Sequence, residues 1–100
     1  MFPGGKEVPY LDGNHKEMFE ITKDLIKEGT TTIYEASFIY DDIFVRVDLM
    51  NKTDKGWDIY EVKSSTKIKN YHDYDASIQW HVLKELKLFT LNDVFIVTLN

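Results

Sequence analysis

Residues 30–51, "TTTIYEASFIYDDIFVRVDLMN", decide the fold. Thr, Ile, Tyr, Phe and Val fill both halves, and Asp41-Asp42 is the only turn-like break, so the stretch predicts a hairpin of strands near 31–40 and 43–50. A two-residue loop at Asp41-Asp42 sets Tyr40 opposite Ile43, makes partner numbers sum to 83, and lays Glu35 directly across from Asp48. Like charges facing each other destabilise a sheet. The juxtaposition calls for a cation between the two acids, a shared proton, or a bulge that breaks the pairing.

Beyond the hairpin, "NKTDKG" (51–56) reads as a polar loop and "WDIYEVK" (57–63) as a third strand. The two-residue period puts Trp57, Ile59, Glu61 and Lys63 on one face. With Asp48 pairing near Ile59, Glu61 falls diagonally beside Asp48, and three carboxylates and a lysine converge. An E-x-K pair alone is most simply an exposed ion pair worth under ~1 kcal/mol. Asp48 on the adjoining strand tips the reading towards a site. "SSTKIKN" (64–70) is an exit loop whose Lys67 and Lys69 offer local attraction for phosphate.

Apolar residues at helical spacing continue the pattern on both sides. Asn14 and Glu17 have capping-box spacing, Met18, Ile21, Leu25 and Ile26 recur behind them, and Gly29 is a natural stop, so a first helix is predicted over 14–28. In "DYDASIQWHVLKELKL" (73–88), Ile78, Val82, Leu83 and Leu86 predict a second helix over 74–88. Gln79 shares a face with Asp75, Leu83 and Leu86, and a polar group on an apolar stripe implies a partner at the carboxylate cluster. "NDVFIVTL" (92–99) reads as a strand buried on both faces. Residues 1–13, with two Pro and three Gly between Phe2 and Gly13, read as an irregular leader to a single α/β (α+β) domain over 14–100. The order is α-β-β-β-α-β.

One hundred residues, 43% apolar, suffice for one folded domain. The absence of cysteine excludes disulfides and thiolate metal sites, and with no run near the ~18 apolar residues of a membrane span it points to a cytoplasmic protein. A net charge of −5 opposes gripping nucleic acid by bulk electrostatics, so such binding has to be local. His15, His72 and His81 do not pair at a metal-ligand spacing. The hard oxygens of Asp48, Glu61 and Glu35 suit Mg²⁺ or Mn²⁺, which take one or two carboxylates and complete their shell with water and phosphate. With Lys63 beside them to position or deprotonate a water, the implied reaction is hydrolysis of a nucleic-acid backbone.

These residues resemble the PD-(D/E)XK nuclease superfamily, and within it the RecB-like branch. "VRVDLM" (45–50) is similar to the branch's Asp-bearing second strand, and "WDIYEVKSS" (57–65) to its E-x-K strand with small hydroxyl residues after it. "YDASIQWHVLKELKL" (74–88) is similar to its Gln-bearing helix, and "YEASF" (34–38) resembles a Glu that often precedes the Asp strand. The likeness runs along almost the whole chain and implies a restriction-endonuclease-like core, a mixed central sheet flanked by helices. It further implies Asp48 and Glu61 as metal ligands, Val62 as a backbone-carbonyl ligand, Lys63 as the catalytic lysine, Gln79 as an accessory group and Glu35 as a further acid. The implied activity is a Mg²⁺- or Mn²⁺-dependent nuclease acting on DNA in repair, recombination or defence.

The resemblance is closest to a bacterial group in which "FPGG" follows a helix, which implies a larger parent chain. Two features depart from the branch. Leu83 stands where a Tyr is common, four residues after the Gln, and neither His15 nor Glu20 matches the acid or His of the preceding helix. The alternative reading is a catalytically incomplete module that keeps the fold and binds nucleic acid or a protein partner.

Overall fold

Asp41 and Asp42 both take left-handed backbone angles, φ 51 and 63, in the computed structural model, which describes residues 4–63 and 70–98, the side chains at 63, 70–76 and 98 excepted. Two consecutive positive φ values twist a tight turn in the sense that adjacent strands require, and Asp tolerates them. The turn joins β2 (Thr32–Tyr40) to β3 (Ile43–Thr53). Tyr40 pairs with Ile43, and partner numbers sum to 83 as far as Thr32 and Asn51.

The ladder omits one pair, Glu35 with Asp48. Glu35 has φ 58, a left-handed angle within a strand, and the register is unchanged on either side of it. Side-chain alternation does change. Ile33 belongs to the core before this point, and Ala36 and Phe38 after it; on β3, Val45 and Val47 are followed by Met50. The two acids therefore sit where the sheet exchanges the faces that it buries.

A second hairpin leads from β3 to β4 (Gly56–Lys63), with Met50 opposite Ile59 and Thr53 opposite Gly56. This corrects the expected pairing of Asp48 near Ile59 by two residues. Asn51 and Lys52, read as loop, extend β3 instead: Thr32 Oγ1 donates to Asn51 Oδ1 at 2.7 Å and Lys52 N–H to Thr31 O at 2.7 Å. Gly56 has φ 132, and a Cβ there would lie 2.6 Å from Thr90 O. The bare backbone lets Thr90 O accept the Trp57 N–H at 2.8 Å, which ties the chain entering β5 (Leu91–Thr98) to the start of β4.

The sheet order is β1-β2-β3-β4-β5, where β1 is Lys6–Glu7 within the stretch read as irregular. β1 pairs parallel to β2 and β5 parallel to β4, while β2, β3 and β4 run antiparallel. Two helices, α1 (His15–Glu28) and α2 (Asn70–Leu86), complete an α+β fold with a five-stranded mixed sheet. Val8, Met18, Ile33, Phe38, Met50, Trp57, Ile59, Val82 and Leu83 are among its core residues. None of the described helices is long and apolar enough to cross a membrane.

Both ends of α1 follow from its sequence. Asn14 Oδ1 accepts the Glu17 N–H at 3.2 Å, and Asn14 Nδ2 donates to Glu17 Oε2 at 3.2 Å. Gly29, at φ 94, closes the helix with Thr30 N–H on Leu25 O and Gly29 N–H on Ile26 O. β1 meets β2 only at Ile33 and Tyr34, which leaves the outer half of β2 to α1. There Thr22 Oγ1 accepts the Ser37 N–H at 2.9 Å and donates to Met18 O at 3.0 Å, so a buried strand donor is satisfied by a helix hydroxyl.

The apolar run in β5 does not make a doubly buried strand. β5 is the outer strand of the described sheet; Asn92 and Asp93 are exposed, and Phe95, 40% exposed, stacks on Tyr60 with ring centroids 5.1 Å apart. A continuous apolar segment has the same pattern whether one neighbour strand lies beside it or two. α2 begins four residues before its expected start.

Candidate active site

Asp48 is anchored by backbone. Its Oδ2 accepts the Val62 N–H at 2.8 Å, a charge-assisted bond from β3 to the strand that carries Glu61. The β3–β4 ladder ends at Leu49 and Tyr60; its register, continued by one step, points Asp48 to Glu61, but there the Asp48 side chain takes the Val62 N–H in place of a backbone partner. Glu61 is buried, 8% exposed.

Gln79 comes to the same region from α2. It is half-buried and its Nε2 lies 3.5 Å from Arg46 O, at the outer limit of a hydrogen bond. Glu61, Gln79 and Arg46 line one cavity of about 360 Å³ with apolar residues of β3 and Ile78. Glu35 and Asp48 line another, of about 350 Å³, with Tyr34, Leu49 and Val62. The structure therefore gathers Glu35, Asp48, Glu61 and Gln79 around β3 but divides them between two cavities. The Arg46–Glu35 ion pair links the two cavities, and the Asp48–Val62 hydrogen bond lies within the second.

Arg46 is the residue that sequence reasoning missed. Its Nε lies 3.3 Å from Glu35 Oε2, its Nη2 donates to Val8 O at 2.8 Å, and its guanidinium carbon is 5.3 Å from the centre of the Tyr10 ring. The signal was available: the chain's one arginine stands two residues before Asp48, on the same side of a strand. Of the explanations offered for facing acids, neither a shared proton nor a register-shifting bulge is needed, because Glu35 turns to left-handed backbone and pairs with Arg46.

Burial raises the Glu35 carboxyl above its ordinary range; Arg46 opposes the rise, and the negative charges of Asp48, Glu7 and Glu61 add to it. A carboxyl with a raised folded-state pKa holds its proton more tightly when the chain is folded. Its stabilising contribution is full below the unfolded value and is lost as pH rises through the folded one. Glu35→Gln is expected to remove this loss, so wild type should lose stability relative to the variant as pH rises above about 4.5, by less than about 1 kcal/mol because the side chain is 40% exposed and screened. Thermal melts across that range check the sign, and parallel pH profiles would contradict it.

Among the described residues no group of three or more His, Asp or Glu side chains is arranged to hold a metal ion. Asp48 and Glu61 are hard carboxylates on adjoining strands, the donor type of which Mg²⁺ or Mn²⁺ takes one or two, but they line separate cavities, and Asp48 Oδ2 accepts the Val62 N–H. His15 stacks on Phe44 with centroids 3.7 Å apart, and His81 meets Tyr40 edge-on at 6.1 Å, so both serve aromatic packing. Glu20 forms an exposed ion pair with Lys23 at 2.8 Å. Leu83, at the position where the branch commonly has Tyr, is 1% exposed in the core. Lys63 ends β4; its side chain, the side chain of His72, the Ser64-Ser65 turn, Lys67 and Lys69 lie outside the described residues. No family model, curated protein or solved structure matches this chain, and the chemistry of Asp48, Glu61, Gln79 and Arg46 therefore stands on their own geometry.

Proposed function

We propose that the chain is the core of a divalent-metal-dependent nuclease of restriction-endonuclease-like, RecB-like type that hydrolyses DNA phosphodiester bonds. The observation that carries this reading is the Asp48–Val62 hydrogen bond, which ties the Asp strand to the E-x-K strand just beyond the Leu49–Tyr60 pair. Asp48, Glu61 and the Val62 carbonyl are the groups that would hold Mg²⁺ or Mn²⁺. Bound there, the cation supplies a water of lowered pKa and offsets charge on the phosphodiester.

The remaining work falls to the chain's own side chains. Lys63, two residues after Glu61, orients or deprotonates the attacking water and stabilises the charge that develops on phosphate. Gln79, on a helix packed against the sheet, donates a hydrogen bond to the substrate phosphate or the water. Arg46 holds Glu35 by an ion pair and fixes its carboxylate beside Asp48. Because Asp48 and Glu61 project from paired strands, their positions are set by backbone.

Mn²⁺ is expected to stabilise the wild-type chain by about 2.7 kcal/mol at a hundredfold excess over Kd, and the gain should vanish in Asp48→Asn and Glu61→Gln. Thermal melts with and without metal test this, and a wild type unmoved by metal sinks the reading. The buried Leu83 favours a second reading, a nuclease-like module that binds nucleic acid or a partner without cutting. Under it, DNA binds but neither this chain nor a longer parent cleaves.

A further inference from the structure

Trp80 of α2 borders two cavities, and their linings differ in charge. The larger, of about 460 Å³, is lined by Trp80, Lys84 and Lys87 over an apolar floor that includes Leu88 and Phe89. The smaller, of about 370 Å³, adds Ser77 and Asp93 to the other side of Trp80. Neither cavity shares a residue with those of Glu35, Asp48, Glu61 and Gln79.

Trp80 and Lys84 are four residues apart on one face of α2, and Lys87, beyond its end, lines the same cavity. Lys87 stands just past the helix end with φ 54, a place where glycine is the common choice. Neither lysine forms an ion pair among the described residues. On a chain of net charge −5, two such cations beside an indole make a local positive patch whose natural ligand carries both an aromatic ring and negative charge.

We propose that this groove binds single-stranded nucleic acid, with one unstacked base lying against Trp80 and the neighbouring phosphates paired with Lys84 and Lys87. The cavity is within the ~300–1,000 Å³ range of small-ligand sites, enough for a nucleotide. Asp93 orients the strand, since its carboxylate repels phosphate from the far side of Trp80 and leaves that side to the base edge. An acidic peptide would satisfy the lysines but leave the indole face unused. The proposal does not rest on the nuclease reading, because the groove and the carboxylates are separate.

The test exploits the two tryptophans. Trp57 is 3% exposed, so quenching by added ligand reports Trp80. With EDTA present, a (dT)₁₂ oligonucleotide is titrated by tryptophan fluorescence and, with a labelled strand, by anisotropy. Quenching on binding is expected, with affinity reduced at least ~10-fold in K84E/K87E and the slope of log K against log salt shallower by about 1.4, as for two single-strand phosphate contacts. In W80A the quench is lost and affinity falls roughly 5- to 150-fold, the scale of one lost base–aromatic stack. Circular dichroism establishes that each variant is folded, and both lysines are exposed, so the charge-reversal variant answers the question even if W80A does not fold.

Absence of oligonucleotide binding overturns the proposal, as does unchanged affinity in folded K84E/K87E or equal affinity for poly-glutamate. Cleavage scored separately with Mg²⁺ distinguishes the two readings. Binding without cleavage leaves the groove standing, whereas cleavage with K84E/K87E affinity unchanged overturns the groove and leaves the nuclease.

Discussion

Glu61→Gln is expected to lower Mg²⁺-dependent DNA cleavage at least ~100-fold, and Lys63→Met by roughly 10²–10⁴-fold, the usual worth of a positioned charge stabiliser or proton-transfer group. The two substitutions should fail differently. Glu61→Gln replaces the proposed ligand by a neutral side chain of nearly the same shape at a buried position, so the Mn²⁺-dependent rise in melting temperature should disappear together with activity. Lys63→Met removes an ammonium and keeps the carboxylates, so the metal-dependent rise should persist while cleavage is lost. Cleavage of single- and double-stranded DNA by purified wild type and both variants, with and without Mg²⁺, is the measurement. Variants that cut within threefold of wild type, or a wild type that cuts equally well in EDTA, would remove Glu61 and Lys63 from the chemistry.

That experiment turns on residues which sequence reasoning could locate, and the reason is local. A two-residue turn leaves one register, so Asp41-Asp42 determined the β2–β3 partners from Tyr40 back to Thr32, the unpaired Glu35–Asp48 step excepted. Asn14 and Gly29 marked α1 because a cap is a property of a few adjacent residues. The second hairpin was harder. Asn51 and Lys52 look like loop, yet Thr32 of β2 and Thr31 just before it hold them in β3, which shifts the β3–β4 register by two residues.

Other features depend on contacts between distant segments and leave no local mark. Arg46 is fixed by Val8, Tyr10 and Glu35, of which two belong to a stretch that reads as structureless. Glu35 takes a left-handed angle without the glycine that usually announces one. β5 resembles a central strand in composition but occupies an outer position, which depends on sheet order rather than on its own residues. The division of the acids between two cavities follows from the face exchange at Glu35 and Asp48, and strict alternation cannot anticipate it.

The largest stability effect should come from Phe38→Ala. Phe38 is fully buried on β2, with ring centroids 6.0 Å from Phe19 of α1 and 6.0 Å from Phe89 beyond α2, and Phe89 in turn lies 5.8 Å from Trp57. One ring therefore joins both helical regions to the sheet. Truncation is expected to cost about 3–5 kcal/mol, a large share of the 5–15 kcal/mol typical of a domain, and Phe38→Leu should cost distinctly less. Urea unfolding checks it: the midpoint should fall with the m-value unchanged, and a loss under about 1.5 kcal/mol would show that the two helical regions pack without this contact. The consequences for the site are unequal. Asp48 and Glu61 are tied to each other across β3 and β4, so their metal-dependent stabilisation should survive in whatever fraction of Phe38→Ala remains folded. Gln79 reaches β3 only because α2 is docked, and its 3.5 Å approach to Arg46 O is already at the limit, so the accessory contact should loosen first. Cleavage per folded molecule should therefore fall while metal affinity holds, which separates what the sheet builds from what the helix adds.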